Sequence, residues 1–222
     1  LLHNGPASIA GTARVACATQ DIGTGTYTVF AQVIAEVTSL PADRVDVQIG
    51  DSSLPPGPIS GGSMVTSTVT PAIAKAARVA LTNLYTAATR AHGPFAGQDP
   101  QTLTVVDGSI VARSGQKRSW AEAFAGAQLD QVTGEAKLSP EEEEKKFSFH
   151  SFGAHCVEVG WDPGIAKLRV RRMVTAVDAG QIINRKTAEN QVLGSLMMGL
   201  GMALQEHAVY DGRSGRVVTD NL

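Results

Sequence analysis

The 222-residue sequence predicts an α+β fold, with mixed sheets packed against long helices. Three observations carry this. Strand-like and helix-like patterns are mixed along the chain rather than strictly alternating, as they would in a doubly wound sheet. Two long helical patterns stand out, an alanine-rich one over about 67–90 and an apolar one over about 187–207. Short strand patterns close on tight-turn residues, Asp107-Gly108 and Asp162-Pro163-Gly164.

The elements follow in order. Residues 12–20 alternate well enough for a strand, and Asp21-Ile22-Gly23-Thr24-Gly25-Thr26 breaks it. From Tyr27, the spacing of Val29, Phe30, Val33, Ile34 and Val37 is helical, and Leu40-Pro41 stops it. Val45, Val47 and Ile49 alternate with polar residues as a strand does. Residues 51–63 are rich in Gly, Pro and Ser and fit neither period. The alanine-rich helix places Ile73, Ala77, Ala80, Leu81 and Leu84 on one face, and alanine favours helix in its own right. Leu103–Val106 and Ile110–Ala112 flank a two-residue turn. Ser119-Trp120-Ala121-Glu122 has the spacing of a capping box ahead of a short helix. Residues 128–146, with the run Glu141-Glu142-Glu143-Glu144-Lys145-Lys146, read as a solvated, mobile stretch. Strands resume at Phe147–Phe149, Ala154–Trp161 and Lys167–Val177. After the second long helix, Tyr210–Val218 reads as a hairpin. The domain organisation expected is a first α/β subdomain over 1–127, a loop or linker over 128–146, and a second subdomain over 147–222, truncated at its C-terminus.

Composition removes several classes. Nineteen Lys and Arg against 21 Asp and Glu give a net charge of −2, which argues against a nucleic-acid surface. Two cysteines, Cys17 and Cys156, are too few for a disulfide framework or a four-cysteine metal site. The most apolar segment, Val192–Leu204, is too short for a membrane span and carries Gly194, Gly199 and Gly201. The first residues have neither the basic region nor the apolar run of a signal peptide, and no initiating Met is present.

Two segments combine small residues with hydrogen-bond donors ahead of a helix. In Gly23-Thr24-Gly25-Thr26, glycines let a ligand approach the backbone, and N–H groups at a helix start favour a phosphate. The plainer reading is a strand–helix turn capped by threonine. Ser60-Gly61-Gly62-Ser63 invites the same two readings, an anion cradle or a serine-capped flexible loop. Together they suit one extended polyphosphate ligand, provided they converge. His155 beside Cys156 suggests a metal site or nucleophile, but neighbours on a strand point to opposite faces, so Cys156 reads as a buried structural thiol. His3, His92, His150 and His207 lack ligand spacing. The helix containing Asn190-Gln191 is apolar on all sides and reads as buried, so the amide at its start needs a partner, a cofactor or a neighbouring loop.

Taken together, these segments resemble a known family. Ala18-Thr19-Gln20-Asp21-Ile22-Gly23-Thr24-Gly25-Thr26-Tyr27-Thr28 is similar to the TQDIGTGTYT segment of the molybdenum-binding subunits of the xanthine dehydrogenase / aldehyde oxidase family, most closely the large subunit of bacterial periplasmic aldehyde oxidoreductases. Residues 51–63 resemble its cofactor loop, and Phe149–Val159 resembles the start of the second half of the same domain. Val177-Asp178-Ala179-Gly180, Ile183-Asn184 and Gln191-Val192-Leu193-Gly194 resemble its D-x-G, I-N-P and GQ-x-x-G run, with Arg185 for the usual proline and Asn190 for the usual glycine. The resemblance runs through essentially the whole chain in order.

It implies the molybdopterin-binding domain of the aldehyde oxidase / xanthine dehydrogenase type, holding a molybdopterin cofactor, in bacteria usually the cytosine dinucleotide. Gly23, Thr24, Gly25, Thr26, Ser60, Gly61, Gly62 and Ser63 would hold its phosphates, and Gln191 would bond near the pterin. The implied reaction is hydroxylation of an aldehyde or N-heterocycle with oxygen from water, electrons leaving to iron–sulfur and FAD subunits or domains. The family's glutamate base sits in a G-x-GE segment that this chain does not contain, so no catalytic residue and no protein metal ligand is assigned, and the chain reads as a C-terminal cofactor-domain fragment that needs the remainder of the large subunit. The fragment alone is expected to be inactive. Both cytoplasm and periplasm stay open, with export on a partner that carries the signal. On the residues alone, a non-redox polyphosphate-binding or structural module is the alternative.

Overall fold

The computed structural model describes residues 2–3, 11–138, 146–148 and 150–219. The chain forms two compact units, 1–141 and 142–222, the first with two sheets and the second with one.

The first unit holds β1 (Leu2–His3), β2 (Thr12–Cys17), α1 (Thr26–Thr38), β3 (Val45–Ile49), α2 (Val65–Ala88), β4 (Thr104–Val106), β5 (Ser109–Val111), β6 (Lys117–Ser119), α3 (Trp120–Ala127) and β7 (Gln131–Val132). One sheet has the order β3-β2-β1-β7, and a second the order β4-β5-β6. β2 and β3 are parallel, in a register that ends with Cys17 opposite Ile49. Parallel neighbours need a crossover, and α1 supplies it. The loops after β2 and β3 therefore leave the same edge of the sheet, at the carboxyl ends of adjacent strands, where open α/β sheets place their ligand crevices.

The two longer helices of this unit, α1 and α2, bury the faces their spacing announces. α1 buries Val29, Phe30, Val33 and Ile34, and packs on α2. α2 buries Val69, Ile73, Ala77, Ala80, Leu81 and Leu84. It starts two residues before the sequence suggests and contains Pro71, which removes one helical hydrogen bond. Phe30, Leu84, Ile110 and Phe124 are fully enclosed, each contributing about 1.5–3 kcal/mol of apolar burial. Asp107 and Gly108 both take positive φ at the turn between β4 and β5. Ser119 forms the expected capping box: its hydroxyl accepts from the Glu122 N–H at 3.3 Å, and Glu122 accepts from the Ser119 N–H at 2.7 Å.

One expectation is overturned here. Residues 131–134 are not a solvated excursion. β7 pairs with β1, Val132 is buried, and the Asn83 side chain donates to the Thr133 carbonyl at 2.8 Å. Gly134 lies so close to α2 that a Cβ there would come within 2.5 Å of the Ala80 nitrogen. A backbone that completes a sheet and seats a glycine on a helix repays its ordering entropy by packing, which low aromatic content alone did not rule out. The Glu141–Glu144 run and Lys145 lie outside the described residues.

The second unit contains β8 (Phe152–Asp162), β9 (Lys167–Asp178) and α4 (Arg185–Leu204). β8 and β9 form a long antiparallel hairpin with a bulge between Glu158 and Val159. Phe147 and Ser148 are not in a strand, residue 149 lies outside the described residues, and the hairpin expected over 210–218 is reduced to one bridge between Tyr210 and Val217. α4 corrects a second expectation. None of its residues is buried, and Leu193, Met197, Met198 and Met202 are strongly exposed. Its all-round apolar composition marks a helix suited to burial, yet within the second unit the described residues leave it exposed. No helix among the described residues is long and apolar enough to cross a membrane.

Candidate functional site

The two donor-rich segments converge. β2 leads into Ala18, Thr19 and Gln20, and each of these holds one point of the loop that follows β3. The Ala18 N–H donates to the Pro55 carbonyl at 2.7 Å. The Thr19 hydroxyl, fully buried, donates to the Pro58 carbonyl at 2.8 Å. The Gln20 side-chain oxygen accepts from the Ser60 N–H at 3.0 Å, and the Gln20 carbonyl accepts from the Ser60 hydroxyl. Gly57 packs against Cys17 and Thr19 with no room for a side chain.

Within the first loop, Asp21 is the organising side chain. Its Oδ1 accepts from the Gly23 N–H at 2.8 Å and the Thr24 N–H at 2.9 Å, with the Thr24 hydroxyl at 3.4 Å. Desolvation raises the Asp21 pKa, but the N–H groups of Gly23, Thr24, Tyr27 and Gly25 together outweigh it and hold the carboxyl below its ordinary range. Backbone N–H groups thus converge on a negative charge, which is what an anion-binding nest does, and the charge nearest to hand is the chain's own. Gly23 and Gly25 both need glycine, with φ of +97° and +82°. Gly25 is the N-cap of α1, and no side chain caps that helix. Thr26 is only 2% exposed and shares a 3.1 Å hydroxyl contact with Thr24.

The geometry therefore divides the expected binding residues. Ser60 has both donors engaged by Gln20, and the Gly61 N–H goes to the Ile59 carbonyl at 3.1 Å. These two are struts. The Gly23 and Thr24 N–H groups are engaged by Asp21, and the Thr26 side chain is packed away. The residues left exposed are Tyr27 and Thr28 at the start of α1, and Gly62 and Ser63; the Gly25 and Tyr27 N–H groups already face Asp21. Gly62 and Ser63 have positive φ and precede α2, whose N-cap, Met64, also offers no side-chain cap. Asp21, Gln20, Tyr27 and Thr28 were not singled out from sequence. The D-x-G-T spacing is a legible signal for Asp21, whereas the role of Gln20 rests on a contact 40 residues away that no local pattern reveals.

Gln191 lies in the second unit, exposed on α4, so its amide has water and does not require a protein partner. α4 itself starts at an Asn184 cap, whose side-chain oxygen accepts from the Thr187 N–H at 3.0 Å. Cys156 is exposed, not buried; β8 belongs to a two-stranded hairpin. His155 bonds across the strands to Thr175 at 2.8 Å. Among the described residues no three His, Cys, Asp or Glu side chains group as metal ligands. Two uncapped helix starts, tied together at one sheet edge, fit a ligand held by its phosphates.

Comparisons with known proteins identify the family. Residues 8–222 match the molybdopterin cofactor-binding domain family. The chain is 36% identical over 212 residues to the aldehyde oxidoreductase molybdenum-binding subunit PaoC of Escherichia coli (strain K12), covering 96% of this chain and 27% of that subunit. It is 30% identical over 218 residues to the xanthine dehydrogenase molybdenum-binding subunit of Escherichia coli O157:H7, covering 96% of this chain and 28% of that one. Among solved structures, the Cu,Mo-CO dehydrogenase in its carbon monoxide reduced state superposes with a TM-score of 0.76 at 22% identity, covering 98% of this chain and 27% of that one. Quinoline 2-oxidoreductase from Pseudomonas putida 86 gives 0.74 at 22%, covering 98% and 28%. At that identity the two structures speak to the fold, and they bear out the mixed α and β architecture. This chain spans little more than a quarter of the length of each of these proteins. With its matched residues running almost end to end, the chain belongs to the molybdopterin cofactor-binding domain family.

Proposed function

We propose that the loops at 21–28 and 60–63 hold the phosphates of a molybdopterin cofactor, in its cytosine dinucleotide form, within a longer molybdenum-binding subunit. The observation that carries this reading is the joining of two uncapped helix starts through Gln20 and Ser60. In this reading the start of α1 at Thr28 meets one phosphate and the N–H groups of Gly62 and Ser63 another. By the family resemblance, Gln191 would bond near the pterin. When bound, the cofactor supplies the redox chemistry, hydroxylation of an aldehyde or N-heterocycle with oxygen from water. The residues of this chain bind and orient it. The proton-accepting glutamate, the substrate pocket and the routes to iron–sulfur and FAD partners belong to other parts of the assembly. The exposed apolar side chains of β8, β9 and α4, Trp161, Val174, Leu193, Met197 and Met198 among them, support a place inside a larger subunit.

The test is molybdenum and pterin per purified full-length subunit. Gly25→Val forces a β-branched side chain into φ of +82°, a strain of order 1–3 kcal/mol, and moves the presented N–H groups. Retained molybdenum should fall about tenfold or more. Cys156→Ser, at an exposed position, should load normally. Full loading of Gly25→Val, or an empty Cys156→Ser subunit, would overturn the reading.

A further inference from the structure

We infer that Gln20 is a positioning residue for this site, the strap that sets the 60–63 loop against the 21–28 loop; the inference rests on the phosphate-loop reading above. Residues 18–20 grip the loop after β3 at three successive points, and the second lies deep. Ala18 acts through its main chain and Thr19 through a fully buried hydroxyl. They fix residues 55–58 whatever occupies the site. Gln20 grips the last point, Ser60, immediately before the presented tip. Beyond it little else restrains the chain. A Cβ on Gly61 would meet only Ile59 Cδ1 at 3.8 Å, and one on Gly62 only Met64 Cε at 3.5 Å.

The Gln20 amide is itself oriented. Its Nε2 donates to the Ala18 carbonyl at 3.3 Å, which turns Oε1 toward the Ser60 N–H. A neutral acceptor is the suitable group here, because it can hold Ser60 without adding a second carboxylate beside Asp21 at an anion site. Gln20 then acts through Ser60 and touches no ligand. Loss of its side-chain acceptor should loosen Gly62 and Ser63 while the sheet, α1 and α2 stay as they are.

The experiment uses the full-length subunit and two readouts, hydrogen exchange of the 60–63 amides in cofactor-free protein and the rate of molybdenum loss from loaded protein. Gln20→Leu removes the acceptor and should accelerate both about tenfold, the scale of one or two net hydrogen bonds, with an unchanged melting temperature. Gln20→Glu keeps the acceptor and should leave the exchange of Ser60 near wild type, while its added charge hastens molybdenum loss in a salt-dependent way. If Gln20→Leu does not fold, Gln20→Ala, which removes the same acceptor with a smaller side chain, carries the same test with a similar effect expected. Wild-type exchange and wild-type molybdenum retention in these variants, with Gly25→Val empty, would overturn the strap and leave the loop reading intact. Full retention in Gly25→Val as well would overturn both.

Discussion

Gly57→Ala probes the packing that brings the two loops together. Gly57 is an exposed loop residue, so by position alone an alanine there should be harmless. The geometry says otherwise. A Cβ would overlap the sulfur of Cys17 and lie 3.1 Å from the Thr19 nitrogen and 3.3 Å from the Thr19 Cβ. Cys17 is buried and Thr19 fully so, and the Thr19 nitrogen belongs to the backbone that anchors the loop. Neither can swing away into solvent, so the loop must lift. Overpacking of this kind costs about 1–3 kcal/mol. If local opening carries the cost, the Ala18 N–H, bonded to the Pro55 carbonyl at 2.7 Å, should exchange about 5- to 150-fold faster. Cys17→Ala in the same protein removes the sulfur and should recover much of the loss, a coupling that a double-mutant cycle isolates. The assay is amide hydrogen exchange on the full-length subunit. Unchanged exchange at Ala18 in Gly57→Ala, or a double variant no better than the single, would refute the argument.

Two further outcomes follow from the same geometry. Ser119→Ala removes the cap that satisfies the Glu122 N–H and should cost about 0.5–2 kcal/mol in urea unfolding, whereas Ser119→Asp, another good cap, should restore most of it. Asp21 has a pKa lowered in the folded protein, so its contribution to stability is present above its unfolded pKa and is lost as pH falls through the folded value. Asp21→Asn, which keeps an acceptor but does not titrate, should flatten the acid side of the stability–pH profile below about pH 4; an unchanged acid limb would contradict the assigned hydrogen bonds.

Much of the first unit is legible in its sequence because local and tertiary demands agree there. The helical spacing of Val29, Phe30, Val33 and Ile34 is the buried face of α1, and Ser119 to Glu122 caps α3 as the spacing requires. Legibility ends where the deciding partner is far away in sequence. The convergence of the two loops follows from β2 and β3 being parallel neighbours, and the strand–helix–strand order of 12–49 is the signal that would have suggested it. The engagement of Ser60 and Gly23 by Gln20 and Asp21 follows from hydrogen bonds that a list of donors does not rank. Residues 131–134 look polar but pack, since a two-residue strand and a close glycine contact leave almost no periodicity. α4 shows the opposite case. Its composition describes the surroundings such a helix needs, not the surroundings that this chain supplies.

The most direct test of the central claim is a structure of the full-length subunit with its cofactor bound. The account predicts phosphate oxygens at hydrogen-bond distance, about 2.7–3.2 Å, from main-chain N–H groups at the start of α1 and at Gly62 or Ser63, with Ser60 still bonded to Gln20. Phosphates bound elsewhere, with both loops facing solvent or another part of the subunit, would contradict it.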